Sequence, residues 1–353
     1  MTRLFSIGCF LLSSACSGSD GNAAVKATAA VADSFSPSPT DDPAKRLVLR
    51  ARALDRANQL DSARMLYEAA AEQAPLVKDW LYLRAAGVTR DKAERTLLLD
   101  RLSLPVAKDR RKPTEAIALE RSGDVEGAIA AYTAAGDRIA PIRLRMLVPS
   151  DTARMTQARA ALISLLTDSP SGVDAREGMS LFDKFFTSPT ASETLVLARA
   201  AFRSGVAARA VTGYRKAFAA GLGTGQDKFN NGLMLARLNR DDEAITAFEG
   251  VSAPSTLAAA ARYQRARALL ARGRRDVARS ALRDITTRYP TDTSAAAALY
   301  LLADLATDDN RDAEARSAFL SLAQRFPRAR HAPASLFKAA LVAFIAGDFK
   351  VAA

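Results

Sequence analysis

Hydrophobic and polar positions follow a helical spacing from about Arg46 to the end of the chain, and short breaks separate the helical stretches. No stretch of the sequence alternates apolar and polar residues strictly enough to predict a strand. Alanine, leucine and arginine are frequent and favour helices, whereas the aromatic residues that favour strands make up only 7% of the chain. The pattern therefore predicts an all-α fold.

Two similar helical segments occur near the end of the chain. The segments "ARSALRDITTRYP" (Ala278–Pro290) and "ARSAFLSLAQRFP" (Ala315–Pro327) begin with the same four residues and both end in an aromatic residue and a proline. Each begins with an alanine that is followed four residues later by a large side chain, and the same spacing recurs upstream. The pairs are Ala210 with Tyr214, Ala244 with Phe248, Ala278 with Leu282, and Ala315 with Phe319.

Successive alanines are 34, 34 and 37 residues apart, and a 34-residue period of helix-turn-helix units resembles the tetratricopeptide repeat. Other positions fall in the same register. A glycine or asparagine precedes the alanine by five residues, where a tight turn favours positive φ, and a proline follows it by twelve residues and ends the helix. The turn positions are Gly205, Asn239, Gly273 and Asn310, and the prolines are Pro290 and Pro327. Gly232 occupies the small-residue position of a first helix. Weaker matches to the same pattern occur upstream, at Ala63, Tyr67, Ala70, Pro75, Gly123, Ala128, Tyr132 and Ala135.

Small residues let the two helices of a hairpin approach each other, and the large residue fills the space toward the next hairpin. One hairpin cannot bury its apolar face alone, so several must stack. We therefore expect a right-handed superhelix of stacked helical hairpins, a tetratricopeptide-like α-solenoid. Residues 45–190 form its divergent region, and residues 191–353 form regular repeats that stop inside a hairpin, since Gly347 is a turn and Ala352 opens a new second helix. The repeated helix is then a structural element whose shared residues are core and turn positions. We expect the functional residues to lie on the variable concave surface.

The first 44 residues are predicted to lie outside the fold. Arg3, an apolar stretch from Leu4 to Leu12 and small residues before Cys16 are typical of a signal peptide, residues 1–15. The "SSAC" segment resembles a bacterial lipoprotein cleavage site and favours lipidation of Cys16; ordinary cleavage after Ala15 or near residues 22–24 is the alternative. Residues 16–44 are rich in Ser, Asp, Ala and Pro and predict a flexible tether. The expected location is the periplasm, as an outer-membrane-anchored lipoprotein.

The net charge of +12 raises the question of an anionic partner. No basic run is interleaved with aromatic residues, so nucleic-acid binding is not expected, and anionic envelope material is favoured. The two cysteines, Cys9 and Cys16, both lie in the N-terminal segment, and the single histidine, His331, lacks neighbours of a catalytic or metal-binding kind. The sequence therefore predicts no catalytic residues, no metal ligands and no cofactor, and it gives no indication of oligomeric state.

The segment Ala74–Leu98 departs from the repeat pattern. Its Pro75, Trp80, Leu81, Leu83 and Arg84 resemble the proline and aromatic-Leu-x-x-Arg segment in the superhelical N-terminal region of soluble lytic murein transglycosylases. The resemblance implies a lysozyme-like domain beyond this chain that cleaves peptidoglycan through one glutamate. The Glu-Ser pair that carries this glutamate is absent here, so no residue is assigned a catalytic role. Within the same segment, Asp79 and Arg84 are interpreted as an exposed ion pair.

Two functions follow from these patterns. The first is a non-catalytic scaffold region of an envelope lytic transglycosylase in peptidoglycan turnover, which positions the cleaving domain on peptidoglycan. The second is a free-standing tetratricopeptide repeat lipoprotein that binds envelope proteins as an assembly adaptor. A complete enzyme within these 353 residues is poorly supported, because no nucleophile-base arrangement is present in the sequence.

Overall fold

The structure is a computed structural model, and it describes residues 42–251 and 257–348. All regular elements in these two ranges are helices, which confirms the predicted all-α fold. The chain divides into two compact units, Met1–Ala135 and Gly136–Ala353. The expected change from divergent to regular hairpins near residue 190 therefore falls inside the second unit.

The first unit contains seven helices among its described residues. They are α1 (Pro43–Arg56), α2 (Leu60–Gln73), α3 (Lys78–Val88), α4 (Lys92–Asp100), α5 (Pro105–Lys108), α6 (Arg111–Ser122) and α7 (Val125–Ala134). Helix α1 packs on α2, α2 on α3, α3 on α6, and α6 on α7. The buried side chains of α1 to α4 form a single core around Tyr67.

The second unit begins with the short helix α8 (Ala140–Arg145) and continues as antiparallel pairs. The first helices of these pairs are α9 (Thr152–Asp168), α11 (Ala191–Arg203), α13 (Gly225–Arg237), α15 (Ala258–Ala271) and α17 (Thr293–Asp308). Their second helices are α10 (Gly172–Phe185), α12 (Ala207–Ala219), α14 (Asp241–Glu249), α16 (Arg275–Arg288) and α18 (Asp312–Arg325), and α19 (Ala332–Ile345) follows. Each helix packs on its neighbours in the chain, as in a solenoid of stacked hairpins.

The turn residues behave as the repeat register predicts. Asn239 and Asn310 have φ of 57°, and Gly205 and Gly273 have φ of 74° and 72°, all in the left-handed region. Only glycine and, less readily, asparagine adopt this conformation without a large steric cost. The turns therefore explain why these two residue types alternate at one register position.

The repeated alanine and large residue form the core. Ala210, Ala244, Ala278 and Ala315 are fully buried, and Tyr214, Phe248, Leu282 and Phe319 are buried beside them. At Gly232, a Cβ would lie 2.6 Å from the ring atom Cε1 of Phe248, so α13 and α14 approach too closely for any side chain there. The interpretation of these positions as packing residues is confirmed.

Ion pairs between neighbouring hairpins account for much of the arginine content. In these pairs the two residues are about one repeat apart in sequence, and most are partly exposed, so each contributes little stability by itself. Examples are Arg159 with Glu193, Arg275 with Asp309, Arg316 with Asp348, and Lys338 with Asp304, at 2.6, 3.0, 2.9 and 2.7 Å.

Asp79 does not form the exposed ion pair with Arg84 that the sequence suggested. Its side chain is buried and accepts hydrogen bonds from the backbone N–H groups of Ser103 and Leu104, at 2.8 and 2.6 Å, and from the Ser103 hydroxyl. Burial alone would raise the pKa of Asp79, but these hydrogen bonds outweigh it and lower the pKa. Asp79 thus anchors the loop before α5, and Arg84 is left without this partner.

The last described helix has an exposed apolar face that includes Leu336, Phe337, Leu341 and Ile345. Gly347 has a φ of 78°, as expected for a turn. Ala352, which the sequence suggested as the start of another helix, lies outside the described residues. The expectation that the chain ends inside a hairpin stays a prediction.

Candidate binding surface on the first helices

Successive first helices of the second unit contact each other. Helix α9 contacts α11, α11 contacts α13, α13 contacts α15, and α15 contacts α17, whereas successive second helices make fewer such contacts. The helices that approach more closely lie on the inner side of a stack of hairpins. We call this surface the first-helix row, and it is the counterpart of the concave surface expected from the sequence.

A pocket of about 260 Å³ opens on the first-helix row, where α9, α11 and α13 meet. Val196 and Phe202 of α11 supply apolar walls, and Pro170 closes one end. The polar side chains at the pocket come mainly from α11 and α13. They are Arg199, Arg203, Thr224, Gln226, Asp227 and Asn230.

Arg199 and Asp227 form the central ion pair of this pocket. The Arg199 Nε and Nη2 atoms each donate a hydrogen bond of 2.8 Å to the Asp227 carboxylate. The Asp227 side chain is 2% exposed, whereas that of Arg199 is 45% exposed. The buried carboxylate therefore fixes the orientation of a guanidinium group that still faces solvent.

Asp227 is also part of the N-terminal cap of α13. The Thr224 hydroxyl and backbone N–H both donate to its carboxylate, at 2.9 Å each, and Thr224 caps the helix in return. Burial would raise the pKa of Asp227, but the bonds from Arg199 and Thr224 outweigh it and lower the pKa. The carboxylate is therefore ionised at neutral pH and keeps Arg199 in place.

Two further arginines on the row have no counter-ion among the residues that the structure describes. Arg203 and Arg237 end α11 and α13, and neither guanidinium forms an ion pair or hydrogen bond with another described residue. A Cβ placed on Gly205 would lie 3.3 Å from Nη1 of Arg237, so this side chain reaches back to the end of the preceding first helix. Arg203 and Arg237 therefore give the row a positive stretch beside Arg199, whose own charge is balanced by Asp227.

A buried hydroxyl lies beneath the pocket. Tyr214 of α12 is fully buried, and its hydroxyl completes no hydrogen bond with any described residue. The amide of Asn230 lies close enough to lower the pKa of Tyr214, but not in hydrogen-bonding geometry. Burial raises the pKa of Tyr214 to about 12. Asn230 itself accepts a hydrogen bond of 2.8 Å from Gln226, which orients the amide at the pocket floor.

Sequence reasoning did not identify this arrangement. The spacing of Thr224 and Asp227 is a recognisable helix-start signal, but it does not show that the same carboxylate holds Arg199 from the preceding hairpin. Cys16, predicted as a lipidation site, lies outside the described residues, as does the predicted signal peptide.

The remaining sequence predictions concern chemistry and membranes. His331 stacks on Tyr300, with ring centroids 4.5 Å apart, and is half-buried at the start of α19. Among the described residues, no group of three or more His, Cys, Asp or Glu side chains is arranged to hold a metal ion. No helix within residues 42–251 or 257–348 combines the length and apolar character needed to cross a membrane.

Three solved structures are similar to most of the chain. The apo form of RapI shares 11% identity at a TM-score of 0.34, covering 88% of this chain and 94% of its own. The C-terminal part of a TPR repeat-containing protein from Cytophaga hutchinsonii shares 13% identity at a TM-score of 0.39, covering 82% and 99%. The TPR domain of P58(IPK) shares 13% identity at a TM-score of 0.29, covering 86% and 99%.

Comparison with curated proteins gives no match. A family model described as "Tetratricopeptide repeat" matches residues 263–330, which run from α15 to the turn before α19. This range contains the alanines Ala278 and Ala315 of the two nearly repeated segments. Residues 263–330 are therefore similar to the tetratricopeptide repeat, as the 34-residue period predicted.

Proposed function

We propose that this chain is a helical-repeat scaffold that binds an extended acidic segment of a partner protein along the first-helix row. The observation that carries the proposal is the positive stretch on that row: Arg203 and Arg237 have no counter-ion among the described residues. Arg199 lies beside them; its charge is balanced by Asp227, which holds its guanidinium in a fixed orientation that still faces solvent. Tetratricopeptide repeats generally mediate protein–protein interaction, and the match to residues 263–330 supports such a role.

The chemistry of the row favours carboxylates as the groups recognised. A guanidinium binds a carboxylate through two parallel hydrogen bonds, and fixing its orientation beforehand lowers the entropic cost of binding. Val196 and Phe202 offer apolar contacts beside the arginines. An extended acidic segment with occasional apolar residues satisfies both features, and no catalytic step is required of the scaffold.

A labelled oligo-glutamate peptide tests the proposal by fluorescence anisotropy, with an oligo-lysine peptide as the charge control. The full chain should bind oligo-glutamate and not oligo-lysine, and binding should weaken as salt increases. The variant Arg203→Glu/Arg237→Glu should lose at least about tenfold in affinity, since each guanidinium–carboxylate contact contributes about 1.5 kcal/mol or more.

The matched control is Arg176→Glu, because Arg176 is an exposed arginine of the second helix α10 and does not lie on the first-helix row. Its charge change is half that of the double variant, so Arg237→Glu alone is compared with it directly. Equal loss of affinity in Arg176→Glu and Arg237→Glu would show that only net charge matters and would refute the row as the binding surface.

A narrower proposal is that the scaffold serves an envelope lytic transglycosylase and positions its cleaving domain on peptidoglycan. It is supported by the resemblance of the segment around Trp80 and Arg84, while the family match concerns the tetratricopeptide repeat of residues 263–330. The intact mass of the native protein from the envelope tests it. A mass well above the 37.6 kDa of this chain, with release of anhydro-muropeptides, is expected; a mass near that of residues 16–353 plus lipid favours the free-standing adaptor.

Both forms of the proposal place the protein in the periplasm, anchored to the outer membrane through lipid on Cys16. The N-terminal sequence pattern supports this location. Metabolic labelling with a fatty-acid analogue should mark the wild-type protein and leave Cys16→Ser unmarked. Equal labelling of both proteins, or of neither, would contradict the anchor.

A further inference from the structure

The first unit contains a second cavity, of about 560 Å³, which lies between α1, α3 and α6. Its size is within the range of small-molecule sites. The floor is formed by buried residues that include Tyr67, Leu81 and Leu83. Trp80 and Arg84 also line the cavity, so the aromatic-Leu-x-x-Arg segment forms part of its wall.

Four arginines and a single carboxylate line this cavity. Arg121 is paired with that carboxylate, Asp55, at 2.6 Å. Arg52 of α1, Arg84 of α3 and Arg110 at the start of α6 form no ion pair or side-chain hydrogen bond with any other described residue. Three guanidinium groups, from two helices and from the residue before a third, thus line one concavity with no counter-ion within residues 42–251 and 257–348.

Charged residues of this cavity also affect the pKa of the Tyr67 hydroxyl. Burial, followed by the Asp55 carboxylate, raises the pKa of Tyr67, while the charges of Arg84, Arg52 and Arg121 act in the opposite direction. The guanidinium groups therefore lie close enough to the Tyr67 ring to affect it. Like charges that share a partly enclosed cavity raise the local potential and attract anions.

The rim of the cavity is apolar on one side. Trp80 is 42% exposed and Ile117 is 39% exposed, and both line the cavity. An inorganic anion would leave these side chains in water. A ligand with an aromatic or aliphatic part would cover them and gain the free energy of removing apolar surface from water.

We propose that this cavity binds a small organic anion that carries at least two negative charges, as phosphate or carboxylate, together with an apolar group. The charged groups contact Arg52, Arg84 and Arg110, and the apolar group packs against Trp80. Arginine suits both oxyanions, because its planar donors match their oxygen atoms in pairs. The site lies in a different unit from the first-helix row, so the two proposals stand or fall independently.

Trp80 is the single tryptophan of the chain, so its fluorescence reports on this cavity alone. The full chain is titrated with phenyl phosphate, with phenylsuccinate as the dicarboxylate, and with benzyl alcohol as the neutral ring. We expect a saturable change in Trp80 emission with at least one of the two anions, weakened by added salt, and none with benzyl alcohol at the same concentrations. The tighter-binding anion then distinguishes phosphate from carboxylate recognition.

Arg50 provides a matched control for Arg52. Both are exposed arginines of α1 without an ion pair to a described residue, and only Arg52 lines the cavity. Arg52→Gln and Arg84→Gln should each weaken anion binding by about tenfold or more, whereas Arg50→Gln should leave it unchanged. Because these side chains are exposed and unpaired, all three variants should keep the helical circular dichroism and thermal midpoint of the wild type.

Three results would overturn the proposal. The first is the absence of any saturable response to either anion at low salt. The second is a response to benzyl alcohol as strong as that to the anions, which would reduce the site to an apolar crevice. The third is equal weakening by Arg50→Gln and Arg52→Gln, which would assign the effect to the overall charge of the protein.

Discussion

Replacing the buried Tyr214 by phenylalanine should stabilise the protein. The ring of Tyr214 is fully buried and stacks on Phe218, with centroids 5.7 Å apart, and both features are retained by phenylalanine. The hydroxyl is buried and completes no hydrogen bond with any residue that the structure describes. An unsatisfied buried polar group costs about 1–3 kcal/mol, and the small void left by the missing oxygen offsets part of that gain. We therefore expect the free energy of unfolding to rise by about 1 kcal/mol.

The pH dependence gives this prediction a second, independent part. The pKa of Tyr214 is raised from 10.0 to about 12 by burial. A raised pKa stabilises the folded state below pH 10, and that stability is lost as pH rises through the folded value, because the unfolded state releases its proton first. The phenylalanine variant has no hydroxyl to titrate and does not lose this stability. The difference in the free energy of unfolding between variant and wild type should therefore grow by roughly 2–3 kcal/mol between about pH 10 and pH 12.

Urea unfolding followed by circular dichroism measures both effects, and Tyr132→Phe is the control. The Tyr132 hydroxyl donates a hydrogen bond of 2.8 Å to Glu120, so its removal should lower stability by about 1 kcal/mol. The two tyrosines occupy the same position in their repeats. The opposite changes in the free energy of unfolding would therefore follow from the difference in hydrogen bonding of their hydroxyl groups. A loss of stability in Tyr214→Phe, comparable to that in Tyr132→Phe, would refute the reasoning and assign the Tyr214 hydroxyl a partner.

Two further substitutions test the packing and the ion pairs by the same unfolding measurement. Gly232→Ala should lower stability by about 1–3 kcal/mol, because its Cβ would lie 2.6 Å from the Phe248 ring. Gly87→Ala, whose Cβ would meet nothing closer than 3.7 Å, should be neutral or stabilising, and equal stability of the two variants would contradict the close approach. The bond from Arg159 lowers the pKa of Glu193 to about 2, so its stabilisation is present above about pH 4.5 and is lost as pH falls toward 2. Glu193→Gln should cost about 0.5–1 kcal/mol at neutral pH and flatten this acid dependence; an unchanged acid slope would count against the pair.

The repeat register could be predicted from sequence because each of its positions has one local cause. Alanine recurs where two helices touch, and glycine or asparagine recurs where φ is positive, as at Gly205 and Asn239. These requirements act within a single hairpin, so the residues concerned are close in sequence. The 34-residue period is the length of one hairpin with its turns, and it recurs because similar hairpins stack. The match to residues 263–330 agrees with this period.

Interactions between hairpins were not predictable in the same way. Asp79 was interpreted as an exposed partner of Arg84, five residues away, yet it bonds to Ser103 and Leu104, 24 and 25 residues away. A carboxylate on a helix offers no sequence signal that distinguishes a local from a distant partner. The pairing of Arg199 with Asp227, 28 residues away, was missed for the same reason.

The net charge of +12 by itself therefore locates no binding surface. Arg275 and Arg316 are neutralised by carboxylates of the following hairpin, and such pairs tie neighbouring repeats together. What distinguishes a recognition site is a guanidinium that faces a concavity and lacks a counter-ion there. Arg52 meets this condition, whereas Arg50, two residues earlier on the same helix, is equally basic but does not line the cavity. Specific anion recognition should accordingly depend on the placement of individual arginines, and the comparison of these two positions separates placement from charge.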